Sequence, residues 1–303
     1  MRYSGNNIKL MVNSLLVNYT DVGYEEAPVI IFIHGFPLNM SMWNKQVELF
    51  KGNFRVITYD IRGHGDSDTG NESFSIDLFV NDLISLMDVL RIKKATLCGL
   101  SMGGYIALNA IECYPDRFDA LVLCDTTCRK DSPVAKNKRK KTIESIIKNG
   151  VINYASESLK TLFAPDSFIT KADEISCVKK MILNTTELSL CSTLLALSSR
   201  NDTCSALKDI KVPVLILVGE EDAITPPDFA QFMHQNIKDS TLQIINSAGH
   251  LSNLENPEEF NHHLKKFFDL VYKDQLIIDQ TVNKSFIREF SDKLMMLLSF
   301  KPI

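Results

Sequence analysis

Residues 95–111 combine an apolar run, a five-residue turn and a run of helix formers, and few folds accept that order. Residues 95–98 read as the end of a short buried strand, and residues 105–111 as a helix. Between them lies Gly99-Leu100-Ser101-Met102-Gly103, a G-x-S-x-G. A sharp strand-to-helix turn strains the serine backbone and brings neighbouring chain close. Glycines two before and two after the serine remove the Cβ atoms that would collide. The turn places Ser101 Oγ at its tip, next to the positive end of the following helix. Ser101 is therefore the candidate nucleophile, set against the plainer reading of a Gly/Ser turn.

The surrounding pattern says what kind of sheet holds this turn. Residues 8–10, 15–19, 29–33, 54–59, 95–98, 120–124, 212–218 and 242–245 read as strands, with Asn13-Ser14 as a hairpin turn between the first two. Residues 29–33 are apolar without alternation, as in a strand covered on both faces. Residues 41–50 read as a helix with Ser41 as N-cap. Residues 76–90 carry apolar side chains at 76, 79, 80, 83, 84, 87 and 90, which is helical spacing. Strand alternating with helix predicts an α/β fold: a mostly parallel eight-stranded sheet with helices on both faces. Such sheets place their chemistry at the carboxyl ends of strands, where His34-Gly35, residues 63–67 and Ser101 all lie.

The alternation stops at residues 128–206. Helical stretches at 142–148, 151–163, 172–184 and 187–198, with Gly150 closing the first, predict a helical cap (lid) over the sheet edge. The expected organisation is a core of residues 1–127 and 207–274, the cap at 128–206, and an extension at 275–303. Phe286, Phe290, Leu294 and Leu297/Leu298 in that extension suggest one more amphipathic helix. The basic run 136–141 reads either as a solvated loop or as a patch that steers an anionic substrate.

A serine hydroxyl needs a base within reach, and the base needs an orienting carboxylate. The strand at 212–218 ends in Gly219-Glu220-Glu221-Asp222 and Pro226 closes that loop, which favours Asp222, with Glu220 and Glu221 as fallback acids. The last strand ends in Gly249-His250. Of six histidines, His250 alone follows the acid at a late strand end; His234, His262 and His263 read as surface residues and His64 as structural. Two amides are expected to receive the oxyanion: that of Met102, after the nucleophile, and that of Phe36 in His34-Gly35-Phe36-Pro37, since Pro37 cannot donate. The pocket is expected among Phe36, Leu38, Met102 and the cap, with Val151, Leu159, Leu162, Phe163 and Leu194 as candidate lining residues, each set against the plainer reading of helix packing.

A net charge of −4 and 23% charged residues give no electrostatic case for nucleic acid or an anionic membrane surface. The longest apolar runs fall far short of the ~20 residues a bilayer requires. The N-terminus lacks an apolar signal core. The seven cysteines are odd in number and lack metal-ligand spacing, so they read as reduced thiols. These features predict a cytoplasmic protein, monomer or homodimer, with no metal and no cofactor.

Taken together, His34-Gly35-Phe36-Pro37, Asp60 to Ser67, Gly99 to Gly104, Gly219 to Asp222 and Gly249-His250 resemble the α/β-hydrolase superfamily, in its motif order. Residues 100–108 and 248–257 look like those of 3-oxoadipate enol-lactonase-like members and related small carboxylesterases. The resemblance implies a carboxylic-ester-type serine hydrolase in which Ser101, His250 and Asp222 act as nucleophile, base and acid on a small ester, lactone or thioester. Two departures stand out. The only tryptophan is Trp43, outside the cap, whereas an enol-lactonase pocket would include a cap tryptophan. The His-Gly-Gly-Gly run of many lipases is also missing. A C–C bond hydrolase or lyase on the same scaffold, and a ligand-binding receptor with a retained triad, are the alternatives.

Overall fold

A computed structural model describes residues 2–273. The chain opens with β1 (Arg2–Val12) and β2 (Leu15–Tyr24). Asn13 and Ser14 between them both have positive φ, 48° and 59°, the backbone that a two-residue hairpin turn requires. There follow β3 (Val29–Ile33), a 3-10 turn (Met40–Trp43), α1 (Asn44–Phe50), β4 (Arg55–Tyr59), α2 (Ile76–Val89), β5 (Ala95–Leu100), α3 (Met102–Cys113) and β6 (Phe118–Cys124). Then come four helices: α4 (Pro133–Leu162), α5 (Ser167–Thr170), α6 (Ala172–Leu183) and α7 (Glu187–Ser199). The sheet resumes with β7 (Val214–Gly219), α8 (Pro227–Asn236), β8 (Ser240–Ile245), α9 (Ser252–Glu255) and α10 (Pro257–Val271).

The eight strands form one sheet in the order β1-β2-β4-β3-β5-β6-β7-β8. β2 runs antiparallel to β1 and β4, and all other neighbours are parallel. Pairings Ile33↔Gly99, Leu100↔Cys124 and Gly219↔Ile245 put the carboxyl ends of β3, β5, β6, β7 and β8 on one edge. The strands β4, β5 and β7 are buried along their whole length and β6 at every residue but Asp119, which is why their sequences are largely apolar without alternation. The helix α2 starts where Ser75 Oγ accepts the Leu78 amide at 3.0 Å, and it buries Ile76, Phe79, Val80, Leu83 and Met87.

Some expectations are corrected. Asn39, not Ser41, caps the 3-10 turn: its side chain accepts the Ser41 amide at 3.1 Å. Helix covers the basic run 136–141, which lies in the first half of α4 and is no loop. Gly150 (φ 77°) breaks that helix, and helical backbone continues on both sides. α5 and α9, four residues each, escaped the sequence reading because one turn carries no periodicity. Residues Met1–His263, insertion included, form one compact unit, and a second begins at Leu264, inside α10. The extension expected at 275–303, with its amphipathic helix, lies outside the described residues. No single described helix is long and apolar enough to cross a membrane.

The reading of seven reduced thiols is also corrected. Cys128 and Cys204 form a disulfide with Cα atoms 4.9 Å apart. They are 76 residues apart in sequence. They meet because β6 and β7 pair side by side and the four-helix insertion leaves and returns between them. The Thr203 amide also donates a hydrogen bond to the Cys128 carbonyl at 2.9 Å. The cysteine argument for a reducing compartment no longer holds.

The Asp60 to Ser67 motif is a buttress. Asp60 accepts from Asn18 Nδ2, the Met40 amide and the Asp66 amide at 2.8, 2.8 and 2.9 Å, which holds the loop after β3 against the loop after β4. Arg62, 1% exposed at its side chain, donates to both Asp82 oxygens at 2.6 and 2.8 Å and to Glu72 at 3.0 Å. Arg62→Leu leaves the buried Asp82 carboxylate uncompensated. It is expected to cost about 3–5 kcal/mol in a denaturant titration; a loss under about 1 kcal/mol would show that the Arg62–Asp82 pair is dispensable.

Candidate active site

Ser101 sits between β5 and α3 with φ 53° and ψ −112°, a strained conformation for a non-glycine residue. Several contacts hold it there. Its amide donates to Cys124 O at 2.9 Å, and its carbonyl accepts from Thr126 Oγ1 at 2.8 Å and the Gly104 amide at 2.9 Å. A Cβ on Gly99 would come within 2.2 Å of Gly103 O, and one on Gly103 within 2.2 Å of Ile33 O. Only glycine allows the helix to start so close to its own strand and to β3.

The candidate acid and base arrive from the other strands of the edge. Asp222 follows β7 and is 3% exposed, whereas Glu220 and Glu221 are exposed. Its Oδ1 accepts the amides of Ile224 and Thr225 at 2.8 and 2.9 Å, and its Oδ2 accepts Thr225 Oγ1 at 2.7 Å. His250 follows β8 and is 2% exposed. Its Nδ1 lies 2.8 Å from Asp222 Oδ2 and its Nε2 2.9 Å from Ser101 Oγ. The carboxylate can only accept, so Nδ1 carries the proton and Nε2 accepts from the serine. Burial by itself would raise Asp222, but the charge and hydrogen bond of His250 and the Thr225 donors hold it at about 2. Burial by itself would lower His250. The charge and bond of Asp222, then the charges of Asp125 and Glu255, lift it above 6.5. Such a chain lets the imidazole take the hydroxyl proton as Ser101 Oγ forms a bond.

The loop after β3 lies alongside. A Cβ on Gly35 would be 3.4 Å from Ser101 Cβ. His34 is fully buried and anchors that loop: Nδ1 lies 2.9 Å from Gly35 O and Nε2 accepts the Ile61 amide at 3.0 Å. Burial lowers His34 to about 4 and His64 to about 3, so both are neutral structural imidazoles.

Ser101 and His250 open into a cavity of about 540 Å³, lined from the sheet side by Phe36, Tyr105 and Ile224 and from the insertion by Tyr154, Leu162 and Leu194. Phe36, Leu162 and Leu194 were expected there. Leu38, Met102, Val151, Leu159 and Phe163 were too, but none of them lines it: Leu38 and Met102 are fully buried, and Phe163 packs on Phe168 at 6.5 Å between ring centroids. Arg129, Lys130, Lys138, Arg139 and Arg200 also line the cavity, while Asp131 is the one carboxylate among its described lining residues. Asp131 is bonded to Arg139 and, at 2.6 Å, to Arg200. Burial alone would raise it, and these two guanidinium groups draw it below the usual carboxylate range.

Two buried acids that the sequence reading missed stand close by. Asp125 accepts the Gly219 amide at 2.8 Å and Ser252 Oγ at 2.5 Å. Burial, then the nearby Asp222 charge, pushes it well up. Its position directly after β6, on the same edge, was the available signal. Glu255 is the other. No group of three or more His, Cys, Asp or Glu able to hold a metal occurs among the described residues.

The strand order, the strained serine turn and the two later loops define an α/β-hydrolase architecture, and residues 28–257 match the family described as the alpha/beta hydrolase fold. The chain belongs to that family. It is 32% identical to 3-oxoadipate enol-lactonase 2 of Acinetobacter baylyi over 84% of this chain and 93% of that protein. Among solved structures, a thermophilic esterase from Thermogutta terrifontis, with malate bound, superposes with a TM-score of 0.83 at 32% identity, covering 88% of this chain and 99% of that one. The enol-lactonase from Burkholderia xenovorans superposes with a TM-score of 0.81 at 27% identity, covering 86% and 99%.

Proposed function

We propose that the protein is a serine hydrolase of small esters, lactones or thioesters. The observation that carries this reading is the unbroken chain from Ser101 Oγ through His250 to Asp222, at 2.9 and 2.8 Å. Ser101 Oγ attacks the carbonyl carbon while His250 Nε2 takes its proton. Asp222 keeps Nδ1 protonated and stabilises the imidazolium. The amides of Phe36 and Met102 receive the oxyanion, each worth about 3 kcal/mol of barrier by comparison with loss of a single donor. His250 returns the proton to the leaving oxygen or sulfur. It then activates water, which adds to the acyl carbon and releases the acid and free Ser101. The relatives' enol-lactonase and esterase names support ester and lactone substrates over the other chemistries of the scaffold.

The insertion acts as the cap in this scheme, and its charges narrow the substrate. With Asp131 already bonded to Arg139 and Arg200, the cations Arg129, Lys130 and Lys138 favour a substrate bearing a carboxylate away from the scissile bond. The malate bound to the Thermogutta esterase and the oxoadipate named in the enol-lactonases both carry carboxylates. A panel of short p-nitrophenyl esters and enol-lactones tests both levels. Turnover of esters is expected, with kcat/KM about tenfold higher for a hemisuccinate than for a neutral ester of equal length, equivalent to ~1.4 kcal/mol. The preference should shrink at high salt and in an Arg129→Gln, Lys138→Gln double variant. A panel with no turnover of any ester, lactone or thioester overturns the hydrolase reading, and an unchanged preference in the double variant overturns the charge argument.

A further inference from the structure

Glu255 ends α9, is 2% exposed and takes no part in the scheme above. Its carboxylate accepts four hydrogen bonds. Oε1 takes the amides of Gly249 and Leu251, at 2.9 and 3.3 Å, the residues on either side of His250. Oε2 takes the Ala164 amide at 2.8 Å and Ser167 Oγ at 2.6 Å, just after α4 in the insertion. The His250 amide itself donates to Leu162 O at 3.1 Å, and Leu162 lines the cavity. The two backbones touch, for a Cβ on Gly249 would lie 2.6 Å from Ala164 N.

Four donors converging on one side chain need two acceptor oxygens and tolerate no donor. A carboxylate is the only side chain that meets this requirement, despite the cost of burying it. A residue needed only to fill space here would be apolar. The arrangement instead ties the strap that carries the imidazole to the segment that walls the substrate cavity.

We infer that Glu255 is a positioning residue: it fixes the backbone on both sides of His250 relative to the insertion, so that seating of the insertion and alignment of the base are one event. The inference rests on His250 being the base. Any displacement of the insertion would be passed to the imidazole through that one carboxylate, and misplacing a reacting group by about 1 Å can cost on the order of a hundredfold.

The test compares wild type with Glu255→Gln and Glu255→Asp. It uses a short p-nitrophenyl ester, active-site titration with a fluorophosphonate, the rate constant for that phosphonylation, and Tm. Glu255→Gln presents an amide NH2 to two donors. Its kcat per titrated site and its phosphonylation rate are expected to fall on the order of tenfold to a hundredfold, with KM changed less. Glu255→Asp keeps both oxygens and should recover part of that loss. If Glu255→Gln does not fold, Ser167→Ala removes one of the four bonds, and its phosphonylation rate is expected to fall about threefold. Wild-type kcat per titrated site in folded Glu255→Gln, even with a lower Tm, overturns the inference and leaves Glu255 a structural residue. So does an unchanged phosphonylation rate in Ser167→Ala. Failure of wild type itself to label and to turn over any ester, lactone or thioester of the panel overturns the hydrolase reading instead, so the two failures are distinguishable.

Discussion

Ser101→Ala is expected to lower kcat on a short-chain p-nitrophenyl ester by about 10^4- to 10^6-fold, with KM within a few-fold of wild type. The size follows from what the substitution removes. In the proposed reaction Ser101 Oγ is the acyl acceptor, and without it the imidazole can only activate water for direct attack. The proposed oxyanion amides and the cavity would stay, so a residue of catalysis over water should persist and KM should barely move. Folding should not suffer. The hydroxyl makes one hydrogen bond, to His250 at 2.9 Å, while the contacts that hold the strained turn are backbone ones to Cys124, Thr126 and Gly104. Alanine keeps a Cβ, so the turn is no more strained than before. Kinetics on purified protein, with Tm alongside, decide the matter. A Ser101→Ala protein that retains more than a few per cent of kcat would remove Ser101 from the nucleophile's role.

The sheet and the three-residue chain were legible in the sequence because both depend on local rules. The strands β3 to β7 are largely apolar runs ended by Gly or polar turns, and the requirement for glycine on both sides of Ser101 is steric and short-range. Asp222 and His250 each followed a strand at its carboxyl end, and a parallel sheet gathers all such ends on one edge. What the sequence hid depends on tertiary neighbours. Cys128 and Cys204 meet only because β6 and β7 are adjacent, a fact with no trace in their spacing. Leu38 and Phe163 are apolar and near the right loops, but which face of a loop or helix end looks into a cavity is set by packing: Leu38 turned into the core and Phe163 onto Phe168. The basic run 136–141 was ambiguous because lysines carry no hydrophobic period, yet α4 positions Lys138 and Arg139 on the cavity wall. Glu255 lay in plain view five residues after His250. Its significance rests on Ala164 and Ser167, some 90 residues earlier in the chain and separated from it by 91 and 88 positions.

Asp222→Asn is expected to lower kcat by about 10^4-fold through a change of tautomer rather than a loss of shape. Every group facing Asp222 is a donor: the Ile224 and Thr225 amides, Thr225 Oγ1 and His250 Nδ1–H. Asparagine supplies one acceptor oxygen in place of two. With that oxygen held by the two amides, its NH2 faces His250, and the imidazole answers by accepting at Nδ1 and placing its proton on Nε2. Nε2–H then points at Ser101 Oγ and the base is lost. The pH dependence shifts in a direction the charges fix. In wild type the Asp222 carboxylate holds His250 above 6.5, so kcat/KM falls as the pH drops through a value above 6.5 and the imidazole gains its second proton. Removing that carboxylate leaves burial, which favours the neutral ring, as the larger influence, and the acidic limb of the residual activity moves to lower pH. Stability responds with the opposite sign at each partner. Asp222, depressed to about 2, contributes stability above the ordinary carboxylate range that is lost as pH falls toward 2. His250, raised, contributes stability below 6.5 that is lost as pH rises through its folded value. In the variant the Asp222 contribution disappears and the sign at His250 reverses: with burial holding the ring neutral, its Tm should fall as pH drops through 6.5 rather than as pH rises above it. A variant with more than a tenth of wild-type kcat and an unmoved acidic limb would mean that a different carboxylate orients His250. Asp125, buried beside Asp222 at the end of β6, would then be the one to replace next.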